Sequence, residues 1–321
     1  MAARSVIRST GSYLPQRILT NDELAKQVDT SDEWITQRTG IRARHIAGDG
    51  EPTSFMATEA ARRALEAANC GAADIDGVIV ATTTPDRSFP SVAVQVQSAL
   101  KLKPGPAFDV QAVCSGFVYA LSVANSMIQT NMARRILVIG AEKMSSLIDW
   151  NDRTTCVLFG DGAGAVILER HEDDDGRGIL STHLYANGDL RDLLYTDGGT
   201  CTTGTAGHIV MHGREVFKNA VTYMAEIVEE VLDKNHIDAN AIDWLVPHQA
   251  NLRIITSTAE KLNLPMDRVV VTLDRHGNTS AASIPLALDH AVRCGDIQRG
   301  QMVLFEALGG GLTWAAALLR F

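Results

Sequence analysis

The 321-residue chain carries 29 basic and 38 acidic side chains, a formal net charge of −9 and a pI near 5.5, a balance that argues against a general nucleic-acid surface. Its 45% hydrophobic and 21% charged residues are the composition of a folded globular protein, long enough for about two domains at roughly 150 residues each. No apolar run approaches the roughly 18 residues of a membrane span, and residues 1–5 lead into a strand-like stretch with no apolar signal core. A cytoplasmic chain with neither membrane nor nucleic-acid partners is expected.

Near the N-terminus, Thr30-Ser31-Asp32-Glu33 has the spacing of a capping box, which predicts a helix with Trp34 in its first turn and Arg38 one turn later on the same face. Residues 53–68 (TSFMATEAARRALEAA) space their apolar positions for an amphipathic helix, and 77–82 (GVIVAT) reads as a buried strand. A short strand over 107–113 runs into Cys114-Ser115-Gly116, followed by 117–128 (FVYALSVANSMI), a helix apolar almost all round. Another strand is predicted at 135–140. Residues 156–168 (CVLFGDGAGAVIL) read as two strands about a Gly-rich turn at 160–164. That run lacks the strand–helix context and later acidic residue of a dinucleotide loop. The acidic stretch 171–178 (HEDDDGRG) is the predicted linker between an N-terminal half, 1–172, and a C-terminal half, 173–321. Residues 196–207, rich in Gly and Thr, form a loop long enough to be functional. A helix over 214–232 and a strand over 244–247 follow, the strand ending at His248. Asn278 precedes a second nearly all-apolar helix, 279–292 (TSAASIPLALDHAV), and three glycines stand at 309–311.

Laying the halves side by side exposes a faint repeat. Helix 53–68 and Ile75-Asp76-Gly77-Val78-Ile79-Val80 echo helix 214–232 and Ile242-Asp243-Trp244-Leu245-Val246, an offset of 167 residues from 75 to 242. Ile136-Leu137-Val138-Ile139 matches Met302-Val303-Leu304-Phe305 at 166. Two nearly equal offsets point to a duplicated α/β unit. The two all-apolar helices have no polar face to turn to solvent, so a central helical layer between two sheets, α-β-α-β-α, is expected.

The chemistry concentrates at three positions. Cys114 stands where a strand gives way to a helix, and a thiol at a helix N-terminus faces the positive end of the dipole, which favours the thiolate; an inert buried cysteine is the alternative. The five cysteines, Cys70, Cys114, Cys156, Cys201 and Cys294, include no Cys-x-x-Cys pair, so neither a disulfide framework nor a zinc site is expected. His248 lies at the mouth of a buried strand, a place where sites are often lined, although most of the nine histidines are expected at the surface. Asn278 follows Cys114 by 164 residues, close to the repeat offset, which puts the two at near pseudo-symmetric places. A Gly-Asn turn supported by His276 is the alternative there.

The runs SDEWITQRTGIRARHIA (31–47), AVCSGFVYAL (112–121), NDRTTCVLFGDGAGA (151–165), PHQANLRII (247–255), LDRHGNTSAAS (273–283) and GGGLTW (309–314) strongly resemble β-ketoacyl-acyl-carrier-protein synthase III. These are the initiating condensing enzymes of bacterial type II fatty acid synthesis, and the resemblance covers essentially the whole chain. It implies a thiolase fold, in keeping with the repeat. It also implies a triad of Cys114, His248 and Asn278, with the backbone N–H groups of Cys114 and Gly310 as oxyanion hole. The implied reaction is decarboxylative Claisen condensation of a short acyl-coenzyme A primer, acetyl-coenzyme A being the expected one, with malonyl-acyl carrier protein. It runs through an acyl-cysteine and needs no cofactor or metal. Trp34, Arg38, Thr39, Arg153, Phe217, Ala250 and Asn251 would contact coenzyme A. Gln249, Ala250, Asn251, Leu252, Arg253 and Lys218 would meet the acidic carrier protein, with Arg214 and Lys261 as further candidates. Glu260 is a departure, since related enzymes often carry a basic residue there. Phe89, Phe159 and Met211 would bound the acyl pocket, Phe89 from across a homodimer interface. Asn278 separates this chain from elongating synthases, which have a second histidine there, and from thiolases, which have a second cysteine. The alternatives are a starter enzyme of a polyketide or quinolone pathway, a Cys-His-Asn thioester hydrolase, and a carrier-protein-binding scaffold.

Overall fold

The computed structural model describes residues 4–321. The first half begins with β1 (Arg4–Tyr13) and continues into β2 (Arg17–Thr20), α1 (Asn21–Leu24), α2 (Asp32–Thr39) and β3 (Ala43–Ile46). It goes on through α3 (Thr53–Ala68), β4 (Gly77–Ala81), α4 (Val92–Ala99), β5 (Ala107–Val110), α5 (Gly116–Gln129), β6 (Arg135–Lys143) and β7 (Asp161–His171). The second half opens with β8 (Gly178–Ala186), β9 (Leu194–Thr196) and β10 (Ile209–Met211), then α6 (Gly213–Asn235), β11 (Trp244–Pro247) and α7 (Leu252–Lys261). It ends with α8 (Leu273–His276), α9 (Ser283–Cys294), β12 (Met302–Gly309) and β13 (Thr313–Arg320).

Two sheets carry the architecture, one ordered β1-β7-β6-β4-β5 and the other β8-β13-β12-β11. The duplication read from the offsets is explicit in this pairing. In each sheet a parallel pair, β4 with β6 and β11 with β12, is followed by two antiparallel pairings, and the first sheet adds β5 parallel to β4 at its edge. The first sheet draws its strands from residues 4–171 and the second from 178–320, so the chain crosses between sheets in the acidic stretch 171–178.

Helices α5 and α9 lie between the sheets because their sequences offer water no polar face. Phe117, Leu121 and Ile128 of α5 pack with Ile284 and Leu288 of α9 and with Val138, Val303 and Phe305 of the strands, all at most 1% exposed. Burying each such side chain stabilises the fold by about 1.5–3 kcal/mol. Outside the first sheet, α3 and α4 cover Val78, Val80 and Ile139. Outside the second, α6 and α7 cover Leu304 and Leu318. The result is the α-β-α-β-α layering of a thiolase-like fold.

Residues 160–164 correct the sequence reading. They form no turn: β7 runs unbroken from Asp161 and pairs with β1 on one side and β6 on the other. The glycines are there because α9 presses on the strand. A Cβ at Gly164 would lie 2.6 Å from Leu286 N and Pro285 C, and one at Gly140 on β6 would lie 2.2 Å from Ala281 O. Sheet and central helical layer thus meet backbone to backbone. The second apolar helix also starts later than read, at Ser283, because 280–282 form a separate short turn.

Candidate active site

Cys114 sits in a single 3₁₀ turn, Val113–Ser115, between β5 and the first residue of α5. Val113 holds a φ of 48°, unusual for a β-branched residue, which swings the chain sharply so that the thiol leads into the helix. Gly309 makes room for this turn, since a Cβ there would be 2.6 Å from Cys114 N. Cys114 is 5% exposed, and burial pushes its thiol up to about 12, with the Ser280 hydroxyl opposing the rise and the charge of Glu142 adding to it. Loss of water thus works against the helix dipole at this position.

His248 follows the end of β11, where its N–H donates to Glu306 O at 2.8 Å. It is 6% exposed, and burial pushes its imidazole down to about 3. It is therefore a neutral hydrogen-bond donor at neutral pH. Its Nδ1 is enclosed without a partner, which leaves Nε2 to face the cavity.

Asn278 is fixed by its main chain and by its amide. Its N–H donates to Leu158 O at 2.8 Å, and its carbonyl accepts from Gly160 N–H at 3.0 Å. Oδ1 accepts from Ser280 N–H at 2.9 Å, which turns the Nδ2 amide, a pure donor, toward the cavity. Beneath this strip lies Arg44, 0% exposed, donating to Val157 O at 2.7 Å, Leu19 O at 3.1 Å and Asn21 Oδ1 at 2.9 Å. The β2–β3 strand pair is thereby tied to the segment that carries Asn278.

All three side chains open into one cavity of about 120 Å³, walled by Leu158, Phe159, Leu194, Met211, Val216 and Phe217. The walls are apolar, so donors facing it work in a medium of low dielectric. A wider cleft of about 450 Å³ lies elsewhere, at the far ends of β1 and β7, and contains no triad residue. Its Arg8 and Arg170 are paired with Glu169 and Glu172.

At the mouth, Ser31 caps α2 by accepting from Trp34 N–H at 3.1 Å, so the cap is Ser31 and not Thr30. Arg38 and Arg153 both lie over the Trp34 indole, at 4.6 and 5.5 Å from its centre. Asn251 caps α7 through Oδ1 to Arg253 N–H at 2.9 Å while its Nδ2 donates to Arg38 O at 3.0 Å. The first turn of α7 and the end of α2 therefore form one rim. Arg253 lies 5.0 Å over Phe217 on α6, with Lys218 and Arg214 exposed beside it. Ala250, Asn251 and Phe217 line the cavity.

Several expected contacts fall elsewhere. Gln249 is 1% exposed and its amide is consumed: Nε2 donates to Pro247 O and Val270 O, and Oε1 accepts from Thr272 and Leu273 N–H. It braces the loop and presents nothing to a carrier protein. Thr39 is likewise buried, donating to Ile35 O at 2.7 Å and accepting from Ile41 N–H at 3.0 Å. Leu252 packs under Gly40. Lys261 is paired with Glu229 at 2.6 Å, which neutralises it. Phe89 is 84% exposed and lies outside the cavity of its own chain, whereas Phe159 and Met211 line it. Gly310 follows β12, with a Cβ there 2.7 Å from Leu194 O. The sequence reading missed Leu194, Ala220, Met224 and Ile254 as cavity walls; they are apolar residues whose role depends on tertiary position. It also missed Glu142, although an acid inside the apolar strand RILVIGAEK was a visible signal.

Among the described residues, no three His, Cys, Asp or Glu side chains cluster to hold a metal, and no helix is long and apolar enough to cross a membrane. Comparison with known proteins places the chain among relatives. Family profiles for 3-oxoacyl-[acyl-carrier-protein] synthase III match residues 108–188, and for its C-terminal portion residues 232–321. The chain is 59% identical to a β-ketoacyl-[acyl-carrier-protein] synthase III of Novosphingobium aromaticivorans, covering all of both chains. It is 58% identical to that of Erythrobacter litoralis over 99% of each. The crystal structure of 3-oxoacyl-[acyl-carrier-protein] synthase III from Aquifex aeolicus superposes with a TM-score of 0.94 at 51% identity, covering 99% of this chain and 100% of that one.

Proposed function

The chain belongs to the β-ketoacyl-[acyl-carrier-protein] synthase III family, and on that premise we propose which of its residues carry each step of the initiating condensation. The reaction joins a short acyl-coenzyme A primer to malonyl-acyl carrier protein, giving 3-oxoacyl-acyl carrier protein, coenzyme A and carbon dioxide. The observation that carries the assignment is the meeting of a buried thiol, a neutral imidazole and an oriented amide in one apolar cavity.

Cys114 Sγ attacks the primer thioester, and the N–H groups of Cys114 and Gly310 hold the oxyanion. The thiol proton leaves as the C–S bond forms and ends on the departing coenzyme A sulfur. Because the acceptor is again a thioester, the step is close to isoenergetic. Malonyl thioester then places its carbonyl oxygen between His248 Nε2–H and Asn278 Nδ2–H. Both groups are donors without charge, so they stabilise the enolate that forms as carbon dioxide leaves without pairing with the malonyl carboxylate beforehand. The enolate carbon attacks acyl-Cys114, the new C–C bond forms, and the freed thiolate takes a proton from solvent.

Trp34 with Arg38 and Arg153 is our assignment for the adenine and phosphates, since two guanidiniums over one indole offer both stacking and charge. Arg253, Lys218 and Arg214 supply a local positive rim for an acidic carrier protein despite the net charge of −9. A cytoplasmic homodimer is part of this reading. The free edge of β5 and the exposed Phe89 beside it suit an interface in which Phe89 limits the partner's acyl pocket.

Mass spectrometry after acetyl-coenzyme A alone tests the assignment. A stable acetyl group is expected on Cys114, whereas rapid turnover to free acid would indicate a hydrolase. His248→Ala and Asn278→Ala are each expected to keep that acetylation and to lose malonyl decarboxylation by about 10²–10³-fold, as for deletion of an oxyanion donor. Full decarboxylation in both variants would refute it.

A further inference from the structure

Glu142 lies at the end of β6 with 0% exposure, after the apolar run Ile136–Ala141. Its carboxylate accepts from Thr84 Oγ1 at 2.6 Å, Thr83 N at 3.0 Å, Thr83 Oγ1 at 3.1 Å, Thr82 Oγ1 at 3.2 Å and Ser280 Oγ at 3.1 Å. Among the described residues no guanidinium or ammonium pairs with it; burial raises the pKa of its carboxyl, and these donors are what opposes that rise. Such a group is costly to bury, and packing alone does not call for it.

Its reach extends to the triad through one residue. Ser280 donates its hydroxyl to Glu142 Oε1 and its backbone N–H to Asn278 Oδ1 at 2.9 Å. It does so from a φ of 50°, a left-handed conformation that a serine adopts only when its surroundings hold it there. The same hydroxyl faces the Cys114 thiol. We propose that Glu142 is a positioning residue for both ends of the triad, locking Ser280 between the Cys114 thiol and the Asn278 amide.

The charge and the hydrogen bond act on different half-reactions. Negative charge on Glu142 opposes ionisation of Cys114, in the same direction as burial of the thiol. The hydrogen bond keeps the Asn278 amide aimed for the enolate. Among the described residues, the other titratable group lining the cavity with the thiol is His248, whose imidazole burial pushes down to about 3. The 280–282 turn, α5 and the 309–312 turn bring no charged side chain.

This inference rests on the assignment of Cys114 and Asn278. Absence of acetyl-Cys114 in the wild-type enzyme would overturn that assignment itself, whereas the variants below test only Glu142. In the full-length enzyme, iodoacetamide alkylation of Cys114 at pH 8 and malonyl-carrier protein decarboxylation are measured side by side, with melting temperature. Glu142→Gln removes the charge and puts an amide donor among donors. Alkylation is expected to speed up, about tenfold for each unit by which the thiol pKa falls, while decarboxylation slows about tenfold, less than deleting a donor outright. Ser280→Ala removes the hydroxyl that links Glu142 to the Asn278 amide, so decarboxylation is again expected to fall. Faster alkylation in Glu142→Gln with reduced decarboxylation in both variants, at unchanged melting temperature, supports the proposal. Alkylation no faster in Glu142→Gln, or decarboxylation unaffected in either variant, overturns it. If Glu142→Gln does not fold, Ser280→Ala decides alone, and a wild-type decarboxylation rate refutes the link.

Discussion

The close contact between the first sheet and the turn after Asn278 makes Gly140→Ala the sharpest test of how the site is held. A Cβ at Gly140 would lie 2.2 Å from Ala281 O, 2.8 Å from Ala281 C and 3.2 Å from Ala282 Cα. Ordinary contact begins at 3.4 Å, so the 280–282 backbone or β6 must yield by about 1.2 Å in an interior packed to crystal density. The obstacle is main chain, hydrogen-bonded and flanked by a buried helix, so no side-chain rotation relieves it. Overpacking of this kind costs about 1–3 kcal/mol, and the rigid obstacle places Gly140→Ala at the upper end. Ala281 is three residues past Asn278, and a misplacement of about 1 Å at a catalytic group lowers rates by about 10²-fold. Urea denaturation and malonyl decarboxylation measure the two effects. Gly50→Ala is the control, since nothing lies within 4 Å of a Cβ there; it is expected to match wild type or gain up to about 1 kcal/mol. A Gly140→Ala enzyme indistinguishable from Gly50→Ala in both assays would refute the claim that strand and turn meet backbone to backbone.

Glu306, fully enclosed, is pushed by burial up to about 8, with the Thr258 hydroxyl opposing the rise. The folded state keeps a proton that the unfolded chain releases near pH 4.5, so this contribution to stability is complete below that pH and lost as pH rises toward 8. Relative to Glu306→Gln, the wild-type enzyme is expected to lose about 3 kcal/mol between pH 4.5 and 7. Comparing the two proteins cancels the opposite slope from the buried His248 and His276, and parallel stability curves would count against a protonated Glu306. Arg253→Glu is expected to raise KM for malonyl-carrier protein at low salt and to leave acetylation by coenzyme A unchanged. Equal loss in both would move the docking surface away from α7.

Much of this enzyme is legible in its sequence because the signals are local. Helix 53–68 has an apolar stripe that only a helix can bury together, and its observed bounds are Thr53–Ala68. The equal offsets survive because both halves must build the same strand order, and the all-apolar helices had only the centre to occupy. Cys114, His248 and Asn278 stand at strand ends and helix starts, where polar residues interrupt apolar runs. What could not be read depends on contacts between distant segments. Glycines 160–164 look like a turn until α9 is laid across them at 2.6 Å. Gln249 looks like an exposed polar residue until Val270 and Thr272 take up its amide. A helix start argues for a thiolate at Cys114, whereas burial and Glu142, 28 residues away along the chain, push its thiol the other way. The sequence by itself determined the layers and the duplication and singled out the three side chains proposed to react, because pattern and residue type are one-dimensional properties. Their charge states, their aim and the cavity they share were decided by tertiary structure alone, because desolvation and hydrogen-bond direction exist only once the two halves have closed on each other.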